Sequence, residues 1–191
     1  MAGQPSGAVA ARVAVLAVVV VFLQAGVVSE VTILGVAIDL TPLVVAFVGL
    51  QCGSIAGALA GFCIGLMVDL TLVQTIGLTS LIFTAIGYGA GRLRELRDPR
   101  AALTPLLVGA AAAATSMVGY SVMEIALGVD APVSLELLRQ IVIGVVLDAI
   151  VALPVWALVH RWLRPTLPDD PRRRRRRRAY TTGGLSPLSR A

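Results

Sequence analysis

Long apolar windows separated by short polar segments organise this chain. Residues 13–28, 40–68 and 101–123 are almost free of charged side chains. An α-helix needs about 20 mainly apolar residues to cross the hydrocarbon core of a bilayer, whereas a surface helix of a soluble domain shows only one apolar stripe. The pattern therefore predicts an all-α fold, a polytopic membrane bundle of about six transmembrane helices.

The polar breaks set the boundaries of the predicted spans. As one straight helix, residues 40–70 would extend about 46 Å against a hydrocarbon core of about 30 Å, so we expect a break near residues 51–54. The predicted spans are 8–28, 33–50, 53–70, 75–91, 104–127 and 137–162. They form a membrane domain over 8–164, after a short N-terminal segment (1–7) and before a disordered basic tail (165–191). Because residues 31–38 could begin a span or lie at the interface, five spans remain an alternative.

Arginine placement predicts the orientation of the bundle. The connector 92–100 and the segment 161–178 hold nearly all the short-loop arginines, and the turn 129–136 holds none. Short loops rich in basic residues face the cytoplasm. With six spans, both termini are therefore predicted to be cytoplasmic.

Composition supports the membrane assignment and excludes a basic nucleic-acid-binding domain. The chain is 57% hydrophobic with a mean hydropathy of +0.88, whereas soluble domains are about 45–50% apolar. The net charge of +5 comes from an arginine run in the tail. We therefore expect no nucleic-acid partner.

Five glycines recur at intervals of four residues. They are Gly49, Gly53, Gly57, Gly61 and Gly65. Glycine costs about 1 kcal/mol relative to alanine in an aqueous helix, but small residues let membrane helices pack closely. We predict that these glycines are helix-packing residues and that the third span is the central packing helix. The alternative is that they only reflect the composition of a membrane helix.

Four acidic residues lie within or beside the predicted spans: Asp39, Asp69, Glu124 and Asp148. Asp39 and Asp69 fall near predicted outer span ends, where capping a helix explains them as well as a functional role does. Asp148 falls near the middle of the sixth span, where a charge costs about 2.5–3.5 kcal/mol on insertion scales. A residue at that depth is expected to have a partner or a function.

An antiparallel hairpin of the fifth and sixth spans predicts partners for two of these acids. Positions at equal distance from a turn near residue 132 lie at similar depth. The predicted polar pairs are Asp148 with the hydroxyl of Thr115 or Ser116, and Glu124 with Gln140 or Arg139. Tyr120 lies near the same level. Hydrogen bonds of this kind average only about 0.6 kcal/mol in membranes, too little to offset a buried charge, so we expect Asp148 to be protonated or hydrated from an internal cavity. The alternative is that Asp148 faces the helix of a partner protein.

No motif of enzymatic chemistry is present. The single histidine, His160, stands beside Arg161, and no nucleophile–histidine–acid set, phosphate-binding loop or metal-ligand cluster can be assembled. Cys52 and Cys63 lie in apolar surroundings and predict neither a disulfide nor a metal site. We expect a protein that is not an enzyme and binds no cofactor.

A series of motifs resembles the MreD family of rod shape-determining proteins. They are "DL" at 39–40, then "GLQCG", "GALAGFCIGLMVDL" and "IGLTSLIFTAIGYGAG", followed by the arginine connector. The resemblance covers roughly residues 12–164, and its specific part is 39–92. Two features depart from the family pattern: "IDLTP" replaces the usual Pro-Asp, and the arginine tail is additional.

The resemblance implies a place and a set of partners. It implies about six spans in the bacterial cytoplasmic membrane and a complex with the bitopic protein MreC. It also implies a role in holding the peptidoglycan elongation machinery, with a SEDS glycosyltransferase, a class B penicillin-binding protein and filaments of the bacterial actin MreB.

A small-molecule carrier is the alternative function. The MreD family is similar to the substrate-binding components of energy-coupling-factor vitamin transporters. Such carriers need polar and aromatic groups around a ligand pocket, and this chain is only 5% aromatic. The composition therefore favours the scaffold over the carrier.

The basic tail generates a first testable prediction. Its run is Arg172, Arg173, Arg174, Arg175, Arg176, Arg177 and Arg178. We expect it to adhere to anionic lipid, with about 1 kcal/mol from each arginine near the surface, screened by salt. Removing the run should weaken binding to anionic liposomes at low salt and have little effect at high salt. Unchanged binding would leave the run with a role in topology only.

Overall fold

A computed structural model describes residues 7–28, 32–33, 36–71, 77–96, 104–126, 128 and 135–165. The arginine run and most of the predicted N-terminal segment lie outside these residues, so their assignments remain predictions. The described helices are α1 (Gly7–Leu23), which continues as a π-helical segment (Gln24–Val28), α2 (Leu40–Cys52), α3 (Ser54–Thr71), α4 (Leu78–Leu96), α5 (Thr104–Ala126) and α6 (Leu135–Leu163). Two short strands, β1 (Thr32–Ile33) and β2 (Val36–Ala37), pair antiparallel between α1 and α2. The predicted all-α helical bundle is confirmed.

The six helices differ in their capacity to cross a bilayer. Among the described residues, four segments are long and apolar enough: Gly7–Gly26, Ser54–Thr71, Thr104–Met123 and Leu138–Leu163. Helix α2 has 13 residues, about 20 Å, which is shorter than the hydrocarbon core. Helix α4 ends in a charged turn with Arg92, Arg94 and Glu95. The predicted second span, 33–50, is thus helical only from Leu40.

Helix α2 is the central helix of the bundle. All of its residues from Thr41 to Gln51 are buried, and it contacts each of the other five helices. By contrast, α3 exposes Ile55, Leu59 and Phe62 on its outer face. The prediction that the third span is the central helix is therefore wrong. Both helices are apolar on all sides, so only their neighbours distinguish the buried one.

Helices α3 and α4 pack backbone against backbone along three glycines of α3. A β-carbon added to any of them would overlap main-chain atoms of α4: those of Gly87 at Gly57, of Phe83 at Gly61 and of Ser80 at Gly65. No side chain larger than hydrogen fits there unless the helices separate. Close approach of this kind is how helices associate in lipid, where hiding apolar surface gains little.

The remaining two glycines of the row, Gly49 and Gly53, lie near the end of α2. A β-carbon on Gly49 would also overlap Gly87, and one on Gly57 would lie 2.6 Å from the Gly49 Cα, so α2, α3 and α4 meet at three glycines. Gly53 lies between α2 and α3 with a φ of 98°, a conformation that favours glycine. Its N–H donates to the Gly49 oxygen at 2.8 Å and ends α2. Gly53 thus forms the break between the two helices, and its backbone also packs on α4, since a β-carbon on Gly91 would lie 2.5 Å from the Gly53 carbonyl carbon.

Two glycines of α4 allow a matched test of this packing. Gly87→Ala should destabilise the bundle by about 1–3 kcal/mol, because its β-carbon would overlap the Gly57 backbone. Gly89→Ala should be neutral or stabilising, because nothing lies within 4 Å of the added carbon and alanine is the better helix former. Thermal unfolding of the purified protein in detergent measures both.

Gly61→Leu should lower the stability more than Gly61→Ala does, because the larger side chain forces the α3 and α4 backbones further apart. Equal stability of all the variants would contradict close packing.

Candidate functional site

The start of α2 packs against α1 and α6, and Ile38, Asp39 and Leu40 are only partly exposed there. The first N–H groups of any helix lack intrahelical partners, and a buried unpaired group is costly. Asp39 is the N-cap, with an extended backbone and a carboxylate that accepts the Thr41 N–H at 3.0 Å. The Thr41 hydroxyl donates to the same oxygen. Pro42 in the first turn needs no intrahelical partner for its nitrogen.

Two side chains from distant parts of the chain complete this capping. Gln24, at the end of α1, accepts the Leu40 N–H at 3.0 Å and donates to the Ile38 oxygen at 2.9 Å. Asp148, halfway along α6, accepts the Asp39 N–H at 3.1 Å. Three consecutive backbone N–H groups thus each have a side-chain acceptor. These contacts join α1, α2 and α6 at one point.

The predicted pairing of Asp148 with α5 is wrong. The Thr115 hydroxyl donates to the Ala111 oxygen at 2.7 Å, and the Ser116 hydroxyl donates to the Ala113 oxygen at 2.9 Å. Serine and threonine in helices commonly satisfy themselves in this way. The Asp148 side chain is 0% exposed, so it points into the bundle. It is therefore not on the outer surface, where a partner's helix would contact it. Its Oδ2 has no hydrogen-bond partner among the described residues.

Asp69 caps the start of α4 as Asp39 caps the start of α2. Asp69 is fully buried, and its two oxygens accept the Gly77 N–H at 2.8 Å and the Thr79 N–H at 3.3 Å. The Thr79 hydroxyl in turn accepts the phenol of Tyr120 on α5 at 3.1 Å. Of the two roles considered for Asp39 and Asp69, the structure shows helix capping.

Sequence reasoning missed two of these polar residues, Gln24 and Thr79, and it placed Tyr120 near the level of Asp148 without its contact to Thr79. Gln24 had a signal, since it is the one amide at the end of an otherwise apolar span. Tyr120 donates to Thr79 and lies within electrostatic range of both Asp39 and Asp69. The described structure omits the side chain of Glu124, and its pairing with Gln140 or Arg139 therefore remains a prediction.

Arginines gather at the opposite end of the helices. Arg12 near the start of α1 donates to the Trp162 oxygen at 2.9 Å, and the Trp162 indole donates to the Arg12 oxygen at 3.2 Å. Arg94 near the end of α4 donates to the Gln51 oxygen. Arg12, Arg94 and Trp162 therefore lie at one end of the bundle, away from the carboxylates of Asp39 and Asp148.

The described residues offer binding and capping groups. Within the described ranges, no three histidine, cysteine or acidic side chains are close enough to hold a metal ion. Cys52 and Cys63 are free thiols, and His160 stacks on Trp156 with ring centroids 5.5 Å apart. The arrangement can fix helix ends, and it can hold a charge or a proton.

Comparison with known proteins assigns the family. The protein-family model for the rod shape-determining protein MreD matches residues 9–165. The chain belongs to the MreD family. No curated protein and no solved structure matches it. The family makes this a rod shape-determining membrane protein, and nothing found supports the vitamin-carrier alternative.

The MreD-family chain also has a lateral groove between α4 and α5. Small residues form most of its lining, including Ala85 and Gly89 from α4, Ala111 and Thr115 from α5, and Ala46 of α2 at its floor. Ile86, Leu93 and Val108 complete it. The four positions on α4 and α5 are separated by four residues within each helix, and Ala85, Gly89, Ala111 and Thr115 are exposed. The groove is therefore apolar, shallow and open at the side of the bundle.

Gln24 provides a test of the α2 junction. Gln24→Leu should destabilise the protein by about 1–3 kcal/mol for each buried polar group left unpaired, here the Leu40 N–H and the Ile38 oxygen. Gln51→Leu is the matched control and should not destabilise the protein, because the buried side-chain amide of Gln51 has no hydrogen-bond partner among the described residues. Thermal unfolding in detergent measures both. An equal effect of the two substitutions would show that Gln24 does not secure the junction.

Proposed function

We propose that this chain is a non-catalytic scaffold of the bacterial cell-elongation machinery and that it binds MreC in the cytoplasmic membrane. Membership of the MreD family supports the role in rod shape. The small-residue groove between α4 and α5 is the observation that carries the proposed binding. It would receive the single transmembrane helix of MreC.

The groove has the features that favour helix association in lipid. Apolar surface alone gives little driving force there, and close backbone approach decides which helices associate. Ala85 and Gly89 form one small-residue step on α4, and Ala111 and Thr115 form another on α5. A helix placed between them can approach both backbones and the α2 floor at Ala46.

The rest of the bundle holds this groove in shape. Glycine packing fixes α4 against α3, and α2 lies buried beneath both α4 and α5. A preformed surface loses less conformational freedom on binding than a mobile one. This rigidity suits a protein whose role is to position others.

Wider partners and orientation belong to the same proposal. The scaffold would join MreC to a SEDS glycosyltransferase, a class B penicillin-binding protein and MreB. Both termini would be cytoplasmic. The gathering of Arg12, Arg94 and Trp162 at one end of the bundle supports this orientation.

Leucine substitutions in the groove test MreC binding. Ala85→Leu and Ala111→Leu should reduce the MreC recovered with the affinity-purified chain by about tenfold, a loss of about 1.4 kcal/mol, because a branched side chain blocks close approach. Ala157→Leu is the matched control, since Ala157 is an exposed alanine on α6 outside the groove. Monodispersity in detergent checks that each variant folds. Full recovery of MreC with both groove variants would remove the groove from the proposal.

A further inference from the structure

Asp148 is enclosed by protein, yet only one of its oxygens is used. The side chain is 0% exposed, and Oδ1 accepts the Asp39 N–H at 3.1 Å. Oδ2 is buried without a hydrogen-bond partner in the described part of the chain. Asp69 provides the contrast, since both of its oxygens accept backbone N–H groups. An ionised carboxylate has about four acceptor positions, and burying it without bonds on both oxygens is expensive.

The groups around Asp148 add negative charge. The Asp39 carboxylate on α2 lies within electrostatic range of Asp148. Tyr120 of α5 lies within electrostatic range of Asp39, and Gln24 of α1 is neutral. Glu124 is not described at the side-chain level.

The described arginines lie elsewhere. Arg12 binds Trp162 and Arg94 binds Gln51, both at the opposite end of the bundle. Arg139 is exposed on α6, nine residues before Asp148 and therefore about 13 Å away along the helix axis. No cationic side chain of the described residues balances the two carboxylates.

The positive end of α2 supplies only part of the balance. A helix N-terminus carries about half an elementary charge, and Asp39 and Asp148 together would bring two negative charges to it. Like charges that share a buried site do not both ionise readily. Binding one proton leaves a single negative charge at the helix end and gives the unused oxygen a hydrogen.

We propose that Asp148 and Asp39 form a proton-binding site at the start of α2, with the proton on the buried Oδ2 of Asp148. Oδ1 of the neutral acid still accepts the Asp39 N–H, so capping of α2 is retained. Release of the proton would place two negative charges at the point where α1, α2 and α6 meet and would weaken that junction. The site is independent of MreC binding and of the groove.

Infrared spectroscopy of the full chain in nanodiscs tests the protonated state directly. A protonated carboxylic acid has a carbonyl stretching band above the amide bands, and this band shifts to lower frequency in heavy water. We expect the band at neutral pH in the unmodified protein and its loss in Asp148→Asn, which preserves the shape of the neutral acid. Absence of the band, or its survival in Asp148→Asn, would overturn the proposal.

The pH dependence of stability is the second measurement, and it has a defined sign. An aspartate in an unfolded chain loses its proton at about pH 4. If the folded protein keeps that proton, its stability relative to Asp148→Asn falls as pH rises above about 4, by up to tenfold in the folding constant per pH unit. The difference becomes constant once the folded protein has also released the proton.

Matched salt conditions separate a proton from a metal cation. Thermal unfolding in detergent is measured at each pH with sodium and again with choline in its place. Each protein should give the same unfolding curve in the two salts. A pH-independent difference between the unmodified protein and Asp148→Asn would overturn the proposal. So would a dependence on sodium, which would instead assign the site to a metal cation.

Discussion

A helix that starts inside an apolar bundle must have its first N–H groups satisfied by protein, and this constraint organises the structure. Helix α2 has only 13 residues, fewer than a bilayer span needs, and its half-buried N-terminus lies beside Asp148 of α6. Gln24, Asp39 and Asp148 provide the acceptors from three separate elements. Three polar side chains are therefore gathered where α2 begins, and they join α1 and α6 to that point.

The second constraint is the closeness of α3 and α4. Glycines on both helices bring the backbones into direct contact, and Gly49 brings α2 to the same place. The capped start of α2 and the glycine contacts act on the same helix from its two ends. Together they hold α4 beside α5, so the groove proposed for MreC depends on residues that do not line it.

The buried acids of this family member are not equivalent. Asp69 uses both oxygens to cap α4 and needs no further ligand. Asp148 uses one oxygen and lies beside a second carboxylate. Both acids are fully buried, so burial does not distinguish them. The number of carboxylate oxygens that accept hydrogen bonds distinguishes the structural cap, Asp69, from the proposed proton-binding site at Asp148. An acid in a membrane helix is expensive in either role, so the number of bonds on its oxygens decides which role it has.

Several features could be predicted from sequence because they depend on local quantities. The lengths of the apolar windows determined a helical membrane bundle, and the motifs from residue 39 to residue 92 indicated the MreD family. Comparison of helix length with bilayer thickness placed a break near residues 51–54, and Gly53 occupies it. The spacing of the glycines indicated close packing without identifying α4 as the partner.

Only the tertiary structure decided which helix is central and what Asp148 contacts. Helices α2 and α3 are similarly apolar, and burial depends on the neighbours that surround a helix, which sequence does not state. Depth counting along the α5–α6 hairpin found side chains level with Asp148. It could not show that α2 begins at the same level and offers a backbone N–H. Every residue except proline has the same backbone N–H group, so the sequence does not indicate which N–H will bond to Asp148. The Asp39 N–H is identified as its partner only in the folded chain.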